Sequence, residues 1–343
     1  MSALSVLVRP WRSELTTGLS TAVGRIPQRA GLLIEVQDET GAWGVGEASP
    51  LEGFSSESLD EVGSVLTQVS PAFLRVSDPA GSVAALGLPP TAAHGLEQAL
   101  WGLRGRQEGR LVAELLGGEG SGEVAVSRLV RSVDDALRAV AQGIGTLKLK
   151  VGVDGLDQEY ARVRDIRAAV GDQVRIRLDA NGAWSLADAK AALERLGGVD
   201  LELVEQPLGT GASLEDWLEL RGVGVPIAAD ESVRDEQSMM DLMPGIDVVV
   251  LKPMFIGGLQ AAVGMGRRAQ AEGRQVVVTS SLGSGVDRYG ALHVAAALRG
   301  PSLLPCGLDT GGLLQDDPCG GPAASGGFMR ICGVGLGLEE RLF

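Results

Sequence analysis

The sequence has few of the side chains that most metal and redox centres use. Its 343 residues include only two histidines and three cysteines. An enzyme of this composition has no histidine cluster, so metal ligands must be mostly carboxylates and acid–base chemistry must fall on Lys, Asp, Glu or Tyr. Cys306, Cys319 and Cys332 are widely spaced without a CxxC pair, which predicts reduced thiols with no metal or redox role.

Long apolar runs and a basic surface are also missing. No stretch reaches about 18 uncharged apolar residues, and residues 1–12 contain two arginines and a proline without the apolar block of a signal peptide. We therefore expect a cytoplasmic protein with no membrane partner. The formal net charge of −14 argues against nucleic acid and anionic membranes as partners, because both require a basic surface.

The first hundred residues are typical of a mixed α+β unit. Residues 31–37 form an apolar strand-like run, 38–41 a turn and 42–48 an alternating returning strand, which together predict a hairpin. Helical spacing follows in residues 55–69 and 91–103. A chain of this length forms one large domain or two ordinary ones.

From about residue 123 the pattern changes to short β-branched runs that alternate with amphipathic helices. The runs recur at intervals of roughly 20 to 30 residues, which is typical of a parallel α/β barrel; a doubly wound sheet is the alternative. A Gly-rich and then apolar segment from about Thr310 is expected to return and pack on the N-terminal unit. The eight predicted strands are residues 123–129, 146–152, 174–181, 201–207, 225–230, 247–253, 275–281 and 302–309.

Charged residues end five successive predicted strands. The active site of a barrel lies at the C-terminal ends of its strands, so these side chains should surround one mouth. Each signal alone is weak. A K-x-K strand is usually an exposed polar face, a D-x-N-G sequence is most often a turn, and Asp–Glu–Ser can cap a helix. Their occurrence in order favours a site. The residues are Lys148 and Lys150, Asp179 and Asn181, Glu205, Asp230 with Glu231, and Lys252.

The three carboxylates suggest a metal centre. Asp179, Glu205 and Asp230 would form an all-oxygen site suited to Mg²⁺, with positions left open for water and substrate oxygens. Proton abstraction next to a carboxylate produces an ene-diolate, whose oxygens need strong local positive charge in a dry pocket. A metal ion held by the three carboxylates would supply that charge.

The lysines are the candidate acid–base groups. Strand alternation places Lys148 and Lys150 on the same inward face, and likewise Arg177 with Asp179. A lysine base at neutral pH needs its pKa lowered by burial or by nearby cations. We expect Lys150, which lies nearest the mouth, to be the base.

Several of these segments resemble the enolase superfamily, in its muconate-lactonizing-enzyme subgroup. The resemblance covers nearly the whole chain. A lysine base that works together with Mg²⁺ is a known feature of that superfamily. Residues 43–58 and 94–103 resemble the family's capping domain. The barrel segments are TLKLKVG (146–152), LDANGAW (178–184), ELVEQPL (202–208), AADES (228–232), VVLKPMFIGG (249–258) and TSSLGSGV (279–286).

The resemblance implies an α/β fold, a modified (β/α)7β TIM-type barrel with an α+β capping domain. Residues 1–120 would form the capping domain, 121–310 the barrel and 311–343 a segment returning to the capping domain. It also implies that Lys150 is the base, that Lys252 faces it from the opposite side, and that the three carboxylates hold Mg²⁺, for which Mn²⁺ can substitute.

Further residues are expected near the substrate or behind the metal ligands. The resemblance implies that Asn181 and Glu231 support those ligands. Backbone N–H groups and hydroxyls after the seventh strand, with the N-terminus of the next helix near Val286, are candidates to bind a substrate carboxylate; a helix-capping turn is the alternative. The residues in these groups are Lys148, Arg177, Ser280, Ser281 and Gly283.

Within the subgroup, the chain is most similar to the o-succinylbenzoate synthase family of menaquinone biosynthesis. The similarity rests on the short cap hairpin, the R-L-D-A-N strand at 177–181 and the S-S-L-G-S turn at 280–284. It implies a lyase that dehydrates a small-molecule carboxylate, 2-succinyl-6-hydroxycyclohexa-2,4-diene-1-carboxylate. A monomer or small homo-oligomer is expected.

Other activities of the superfamily are less favoured or stay open. Mandelate-racemase-like members use a histidine base, but His94 and His293 fall on predicted helices. Dipeptide epimerases usually carry a D-x-D after the eighth strand, whereas Asp309 is followed by Thr310 and Gly311. N-acylamino-acid racemase and muconate cycloisomerase share the lysines and the metal ligands and stay open. A non-enzymatic enolase-like protein is disfavoured, because both lysines and all three ligands are present.

Overall fold

The structure is a computed structural model that describes residues 3–21, 24–120, 122–196 and 198–342. The strands in this part of the chain are β1 (Ser5–Thr21), β2 (Gly24–Gln37), β3 (Trp43–Ala48), β4 (Glu123–Ala125), β5 (Arg128–Leu129), β6 (Thr146–Lys150), β7 (Arg175–Asp179), β8 (Leu203–Glu205), β9 (Ile227–Ala229), β10 (Val248–Leu251), β11 (Gln275–Val278) and β12 (Phe328–Arg330). The α-helices are α1 (Leu59–Thr67), α2 (Pro79–Ala84), α3 (Pro90–Glu108), α4 (Val112–Leu115), α5 (Val133–Ala141), α6 (Leu156–Val170), α7 (Leu186–Leu196), α8 (Leu214–Arg221), α9 (Glu236–Leu242), α10 (Pro253–Ile256), α11 (Leu259–Ala271) and α12 (Gly285–Ala297).

The N-terminal unit, β1 to β3 with α1 to α3, is built on an antiparallel sheet in the order β1-β2-β3. The predicted hairpin is confirmed, because residues 32–37 of β2 pair with β3. Helix α3 packs directly on β3 at Gly44 and Gly46, where a Cβ atom would overlap the backbone oxygens of Ala99 and Gly95. Glycine at these two positions is what allows the helix and the sheet to approach so closely.

The two predicted helices of this unit are confirmed as α1 and α3. Helix α1 begins after Ser58, whose hydroxyl accepts a hydrogen bond from the Glu61 N–H, and the Glu61 carboxylate accepts one from the Ser58 N–H. This reciprocal capping satisfies backbone donors that the first helical turn leaves unpaired.

A seven-stranded parallel sheet forms the rest of the fold, in the sequential order β5-β6-β7-β8-β9-β10-β11. Sequential order is that of a barrel and excludes the doubly wound alternative, whose strand order reverses at a switch point. Strands β8, β9 and β10 are fully buried, which fits their largely apolar sequences.

The eighth predicted strand, residues 302–309, forms isolated bridges and no regular strand. Leu303 and Gly307 pair with Val276 and Thr279 on the β11 side, and Cys306 pairs with Val126 beside β5. These bridges join the two edges of the sheet and close the barrel. The segment contains Pro305, which has no N–H to donate to a ladder.

The C-terminal segment contacts both parts of the fold. Strand β12 pairs antiparallel with β4, and Gly335 bridges Leu111. Arg341 Nε donates to a Glu35 carboxylate oxygen of β2 at 2.9 Å. Among the helices of the described residues, none has both the length and the apolar character that a membrane crossing requires.

Candidate active site

A cleft at the C-terminal ends of the barrel strands brings together most of the predicted site residues. Its empty volume is about 750 Å³, and both the barrel and the N-terminal unit contribute to its walls. The chain has only four lysines, and three of them line this cleft, so the scarcity of lysine is itself a signal for these positions. The predicted residues that line the cleft are Lys148, Lys150, Asp179, Asn181, Asp230, Lys252, Ser280 and Ser281.

The parallel register places the key side chains next to one another. Lys150 is the Cα partner of Asp179, and Asp179 is the partner of Glu205 on the next strand. Glu205 does not line the cleft, but it is 3% exposed and accepts a hydrogen bond from Lys148 Nζ at 2.7 Å. Strand ends in register therefore form one contiguous row of ionisable groups.

Each lysine is paired with a carboxylate. Lys148 Nζ lies 2.7 Å from Asp179 Oδ2 as well as from Glu205 Oε1. Lys150 Nζ lies 2.7 Å from Asp179 Oδ2 and also donates to Asn181 Oδ1. Lys252 Nζ donates to Asp230 Oδ2. Lys150 and Lys252 thus enter the cleft bonded to different carboxylates.

These groups shift one another's pKa. Burial lowers the pKa of Lys148, but the Asp179 and Glu205 carboxylates outweigh burial, and the net pKa is raised. For Lys252 burial is likewise outweighed, by Asp230 first, so its pKa is also raised. Burial and the nearby Asp179 carboxylate raise the pKa of Glu205 to about 7. Lys148 and Lys252 are therefore held as ammonium groups.

Asn181 and Glu231 lie behind the carboxylates. Asn181 has a left-handed φ of 44°, and its N–H donates to Asp179 Oδ1 at 3.0 Å. Its amide nitrogen donates to Glu231 Oε1 at 2.7 Å. The pair connects the end of β7 to the turn after β9, and so fixes the orientation of Asp179 and the Asn181 oxygen that faces Lys150.

Gln206 is a buried residue next to the predicted metal ligands that is not among the sequence-based predictions. It is fully buried, and its side-chain oxygen accepts from the N–H groups of Asp230 at 2.9 Å and Ser232 at 3.2 Å. Its amide nitrogen donates to Leu208 O and Ser232 Oγ, both at 2.7 Å. Gln206 thereby fixes the turn that carries Asp230. The only sequence signal was its position directly after Glu205 at a strand end.

Arg177 is not brought to the cleft. Its guanidinium is 2% exposed, pairs with Glu202 and donates to Pro305 O at 2.7 Å. The alternation that places Arg177 on the same strand face as Asp179 is correct, but the residue lies two positions earlier and deeper in the strand. It connects β7 to the segment that closes the barrel.

The loop after β11 has a different hydrogen-bond pattern from the expected carboxylate site. The N–H groups of Ser281 and Gly283 donate to Asp287 Oδ2 at 2.7 and 3.2 Å, and Gly283 does not line the cleft. Ser280 Oγ lies 2.8 Å from Thr310 Oγ1. Ser281 Oγ is buried and has no hydrogen-bond partner among the described residues.

The cleft also has an extensive apolar lining, a feature that no motif of the sequence predicts. Lys252 Nζ lies 4.9 Å from the centroid of the Phe54 ring, a distance at which an aromatic face stabilises a cation. Phe54 and Phe255 stack with centroids 6.3 Å apart. The apolar lining consists of Ile26, Leu51, Phe54, Leu129, Phe255, Leu282 and Leu313.

Asp309, after the eighth segment, lines the cleft but carries a partner. Arg128 Nε of β5 donates to its carboxylate, and both side chains are largely buried. Its charge is therefore already balanced by this chain.

The histidines and cysteines have no place in the cleft. His94 and His293 are fully buried on α3 and α12, and burial lowers their pKa to about 3 and about 4. Cys306, Cys319 and Cys332 are free thiols, and burial raises the pKa of Cys306 to about 11. Histidine therefore takes no part in the lining of the cleft, as the sequence predicts.

The carboxylates of the cleft fit a divalent cation. In the parts of the chain that are described, no three His, Cys, Asp or Glu side chains already form a cage for an ion. Lys148 Nζ, however, lies 2.7 Å from both Asp179 Oδ2 and Glu205 Oε1, and Asp230, which is also buried, follows the next strand of the sheet. Such an all-oxygen donor set, without His or Cys, suits a hard cation such as Mg²⁺.

A barrel of this topology, with lysines and carboxylates at its strand ends, is the architecture of the enolase superfamily. The family profile described as "Enolase C-terminal domain-like" matches residues 131–341, and "MenC, N-terminal domain" matches residues 10–103. The chain belongs to the enolase superfamily.

Relatives with two different activities are similar to this chain. L-Ala-D/L-Glu epimerase of Bacillus subtilis is 29% identical over 94% of this chain and 93% of its own, and its substrate-liganded structure superposes with a TM-score of 0.90 at 27% identity over 99% of both chains. The o-succinylbenzoate synthase of Thermobifida fusca is 40% identical, over 55% of this chain and 59% of its own. A dipeptide epimerase of Enterococcus faecalis, solved with Mg and the dipeptide L-Leu-L-Tyr, has a TM-score of 0.90 at 26% identity, over 98% of this chain and 99% of its own.

Proposed function

We propose that this protein is an o-succinylbenzoate synthase, a lyase that removes water from 2-succinyl-6-hydroxycyclohexa-2,4-diene-1-carboxylate in menaquinone biosynthesis in the cytoplasm. The observation that carries the proposal is the composition of the cleft: two carboxylate-paired lysines lie among apolar side chains, and the acid after the eighth segment is paired with Arg128. Such a cleft suits a carboxylated ring with no ammonium group. The 40% identity to a synthase supports the same activity.

In this mechanism Lys150 removes the proton on the carbon next to the ring carboxylate. Asp179 and Asn181 bond its Nζ and so aim it. The same lysine then returns the proton to the departing hydroxyl, so that one C–H and one C–O bond break, water leaves and the ring becomes aromatic. Lys252 stays an ammonium beside Phe54 and stabilises the anionic intermediate from the other side.

The proposed metal ligands are Asp179, Glu205 and Asp230, with Asn181, Glu231 and Gln206 orienting them. Bound Mg²⁺, or Mn²⁺ in its place, would supply positive charge to the carboxylate oxygens of the ene-diolate. Ser280 and Ser281 are the proposed hydroxyls for the succinyl carboxylate. A monomer or small homo-oligomer is proposed for the assembly.

A second candidate is a dipeptide epimerase, favoured by the two dipeptide epimerases that match over most of both chains. Such an enzyme must hold a substrate ammonium, and here the nearest candidate acid, Asp309, is paired with Arg128. N-acylamino-acid racemase and muconate cycloisomerase use the same lysines and are separated only by assay.

The deciding experiment compares turnover of three substrates by the purified, Mg²⁺-loaded protein. Loss of the ultraviolet band of the cyclohexadiene is followed first. Exchange of the α-proton in deuterated water is then followed for an N-succinyl amino acid and for L-Ala-L-Glu. Dehydration far faster than either exchange supports the proposal; exchange of the dipeptide without dehydration overturns it in favour of the epimerase.

A further inference from the structure

A buried arginine outside the row of ionisable groups joins two walls of the cleft. Arg29 of β2 is 3% exposed, and within the described residues its guanidinium donates only to backbone carbonyls. It bonds Ser49 O at 2.7 Å and Pro50 O at 2.9 Å in the loop after β3. It also bonds Leu282 O at 3.1 Å and Ser281 O at 3.3 Å in the loop after β11.

Both loops contribute directly to the cleft. The β3 loop (residues 49–54) supplies Leu51 and Phe54, and the β11 loop (residues 279–284) supplies Ser281 and Leu282. The β3 loop belongs to the N-terminal unit and the β11 loop to the barrel. One planar guanidinium, with donors in a fixed fork, therefore sets the distance between two walls that come from different parts of the chain.

Two buried carboxylates complete the cluster. Glu47 is fully buried and accepts from Ser49 Oγ at 2.5 Å and from Ser284 N at 3.0 Å, so it also connects the two loops. Asp287 accepts the N–H groups of Ser281 and Gly283. The β11 loop is thus held on both sides, by Arg29 at its carbonyls and by Asp287 at its amides.

The conformation of the β11 loop requires such restraint. Leu282 has a φ of 58°, in the left-handed region that a leucine rarely adopts and that persists only where the surroundings impose it. At Gly283 a Cβ atom would lie 2.5 Å from Glu47 Oε1 and 2.6 Å from Asp287 Cβ, so only glycine fits against the two carboxylates. The strained Leu282 is one of the loop residues that line the cleft.

We propose that Arg29, together with Glu47 and Asp287, which bond the same β11 loop, is a positioning residue that fixes the spacing of the β3 and β11 loops and thereby the fit of the substrate's non-reacting end. These three side chains stand outside the cleft lining. Their effect therefore falls on substrate binding and not on proton transfer. The inference rests on the proposed function only for the choice of assay substrate.

The test compares Arg29→Lys, Arg29→Met and Arg29→Ala with Arg164→Met, which removes a surface arginine whose side chain is 62% exposed. Lysine keeps the charge but lacks the fork of donors. All three Arg29 variants should raise KM by about 10- to 100-fold and leave kcat within about threefold, as expected for a misplaced binding wall. Guanidinium ion should restore KM in Arg29→Ala, while urea should not. Arg164→Met should match the wild type.

Hydrogen exchange tests the inference without any substrate. The amides of Ser281 and Gly283 should exchange faster in Arg29→Met than in the wild type, and those of the β6 and β7 strands should not. Asp287→Asn keeps the shape of the side chain and should give the same pattern of amide exchange. This variant replaces the Arg29 variants in the test if those do not fold. Unchanged loop exchange with unchanged KM overturns the inference, as does a loss of kcat alone. Failure of the wild type to dehydrate the cyclohexadiene overturns the proposed function and leaves the exchange result standing.

Discussion

Lys150 and Lys252 carry the proposed chemistry, and each is bonded to a different carboxylate of the cleft. Replacing either by alanine should reduce kcat below a few per cent of the wild-type value, because one variant lacks the base and the other the opposing ammonium. The ultraviolet assay measures the loss, and circular dichroism should show an unchanged fold. Lys190→Ala, at a lysine paired with Glu219 outside the cleft, is the control. Substantial activity in either cleft variant would contradict the assigned roles.

The buried His293 should make the free energy of unfolding depend on pH. Its Nδ1 accepts the Ala113 N–H at 3.0 Å, so the imidazole is neutral in the fold, and burial lowers its pKa from 6.5 to about 4. The unfolded chain binds a proton near pH 6.5 and the folded chain only near 4. Between these values, stability should fall with falling pH by about 1.4 kcal/mol per unit from this residue.

The measurement is the free energy of unfolding in urea at several pH values, for the wild type and for His293→Asn. Asparagine can still accept the Ala113 N–H but does not titrate. Asp287, whose pKa burial and Glu47 raise to about 7, contributes the opposite slope in both proteins and cancels in the difference. Equal slopes for the two proteins between pH 4 and 6.5 would disprove the assignment.

Prediction from sequence locates a residue correctly where its placement follows from its position on one strand. The charges at the ends of β6, β7 and β10 reach one cleft because parallel strands share an edge. Gln206 and Arg29 could not be found in this way, since each acts through bonds to backbone groups distant in sequence. Gly283 was assigned to the substrate, but its N–H is taken by Asp287, four residues ahead in the next helix.

At the scale of elements, close packing of α3 on β3 depends on glycine. A Cβ atom at Gly44 would overlap backbone atoms of Ala99 and Leu103, which have no freedom to move aside. Gly44→Ala should therefore destabilise the protein by about 3 kcal/mol or more, in the range of other overpacked or strained cores. Urea unfolding measures the difference.

A matched substitution on α1 provides the control. Gly63 lies inside that helix, and an added Cβ atom would meet only Leu32 Cδ1, at 3.6 Å. Gly63→Ala should be neutral or stabilise by up to about 1 kcal/mol, because alanine is the better helix former. Similar effects of the two substitutions would show that the contact between α3 and β3 is looser than described.

The sequence predicts the barrel strands best where their hydrogen-bond ladders are continuous. Hydrophobic period and β-branched runs located β6 to β11, whose ladders are continuous. Residues 302–309, which have no β-branched residue, form only isolated bridges, and Pro305 has no N–H to donate to a ladder. β1 was missed, because its apolar residues are interrupted by arginines and Pro10, and its partner β2 supplies the pairing that stabilises it.

At the scale of the whole molecule, the active cleft lies where the N-terminal unit covers the barrel mouth. Ile26, Leu51 and Phe54 come from the first unit and the ionisable row from the second. The formal net charge of the chain is −14, and its acidic residues are spread along the sequence. Three of them are buried together, because Asp179, Glu205 and Asp230 are only 1%, 3% and 4% exposed. Burying three carboxylates together is unfavourable unless cations balance them.

A divalent cation that binds these carboxylates only in the folded state should stabilise the whole fold as well as support turnover. Excess EDTA should abolish dehydration, and Mg²⁺ or Mn²⁺ should restore it. At about 100 times its Kd, Mg²⁺ should add about 2.7 kcal/mol to the free energy of unfolding, seen as a rise in Tm. Glu205→Gln removes one ligand charge and should lose most of that rise in Tm, whereas Glu219→Gln, on the exposed face of α8, should keep it.

Full activity in EDTA would remove the metal from the mechanism. An equal Tm rise in Glu205→Gln and the wild type would place the ion elsewhere, because a site built from these three carboxylates must weaken when one of them loses its charge.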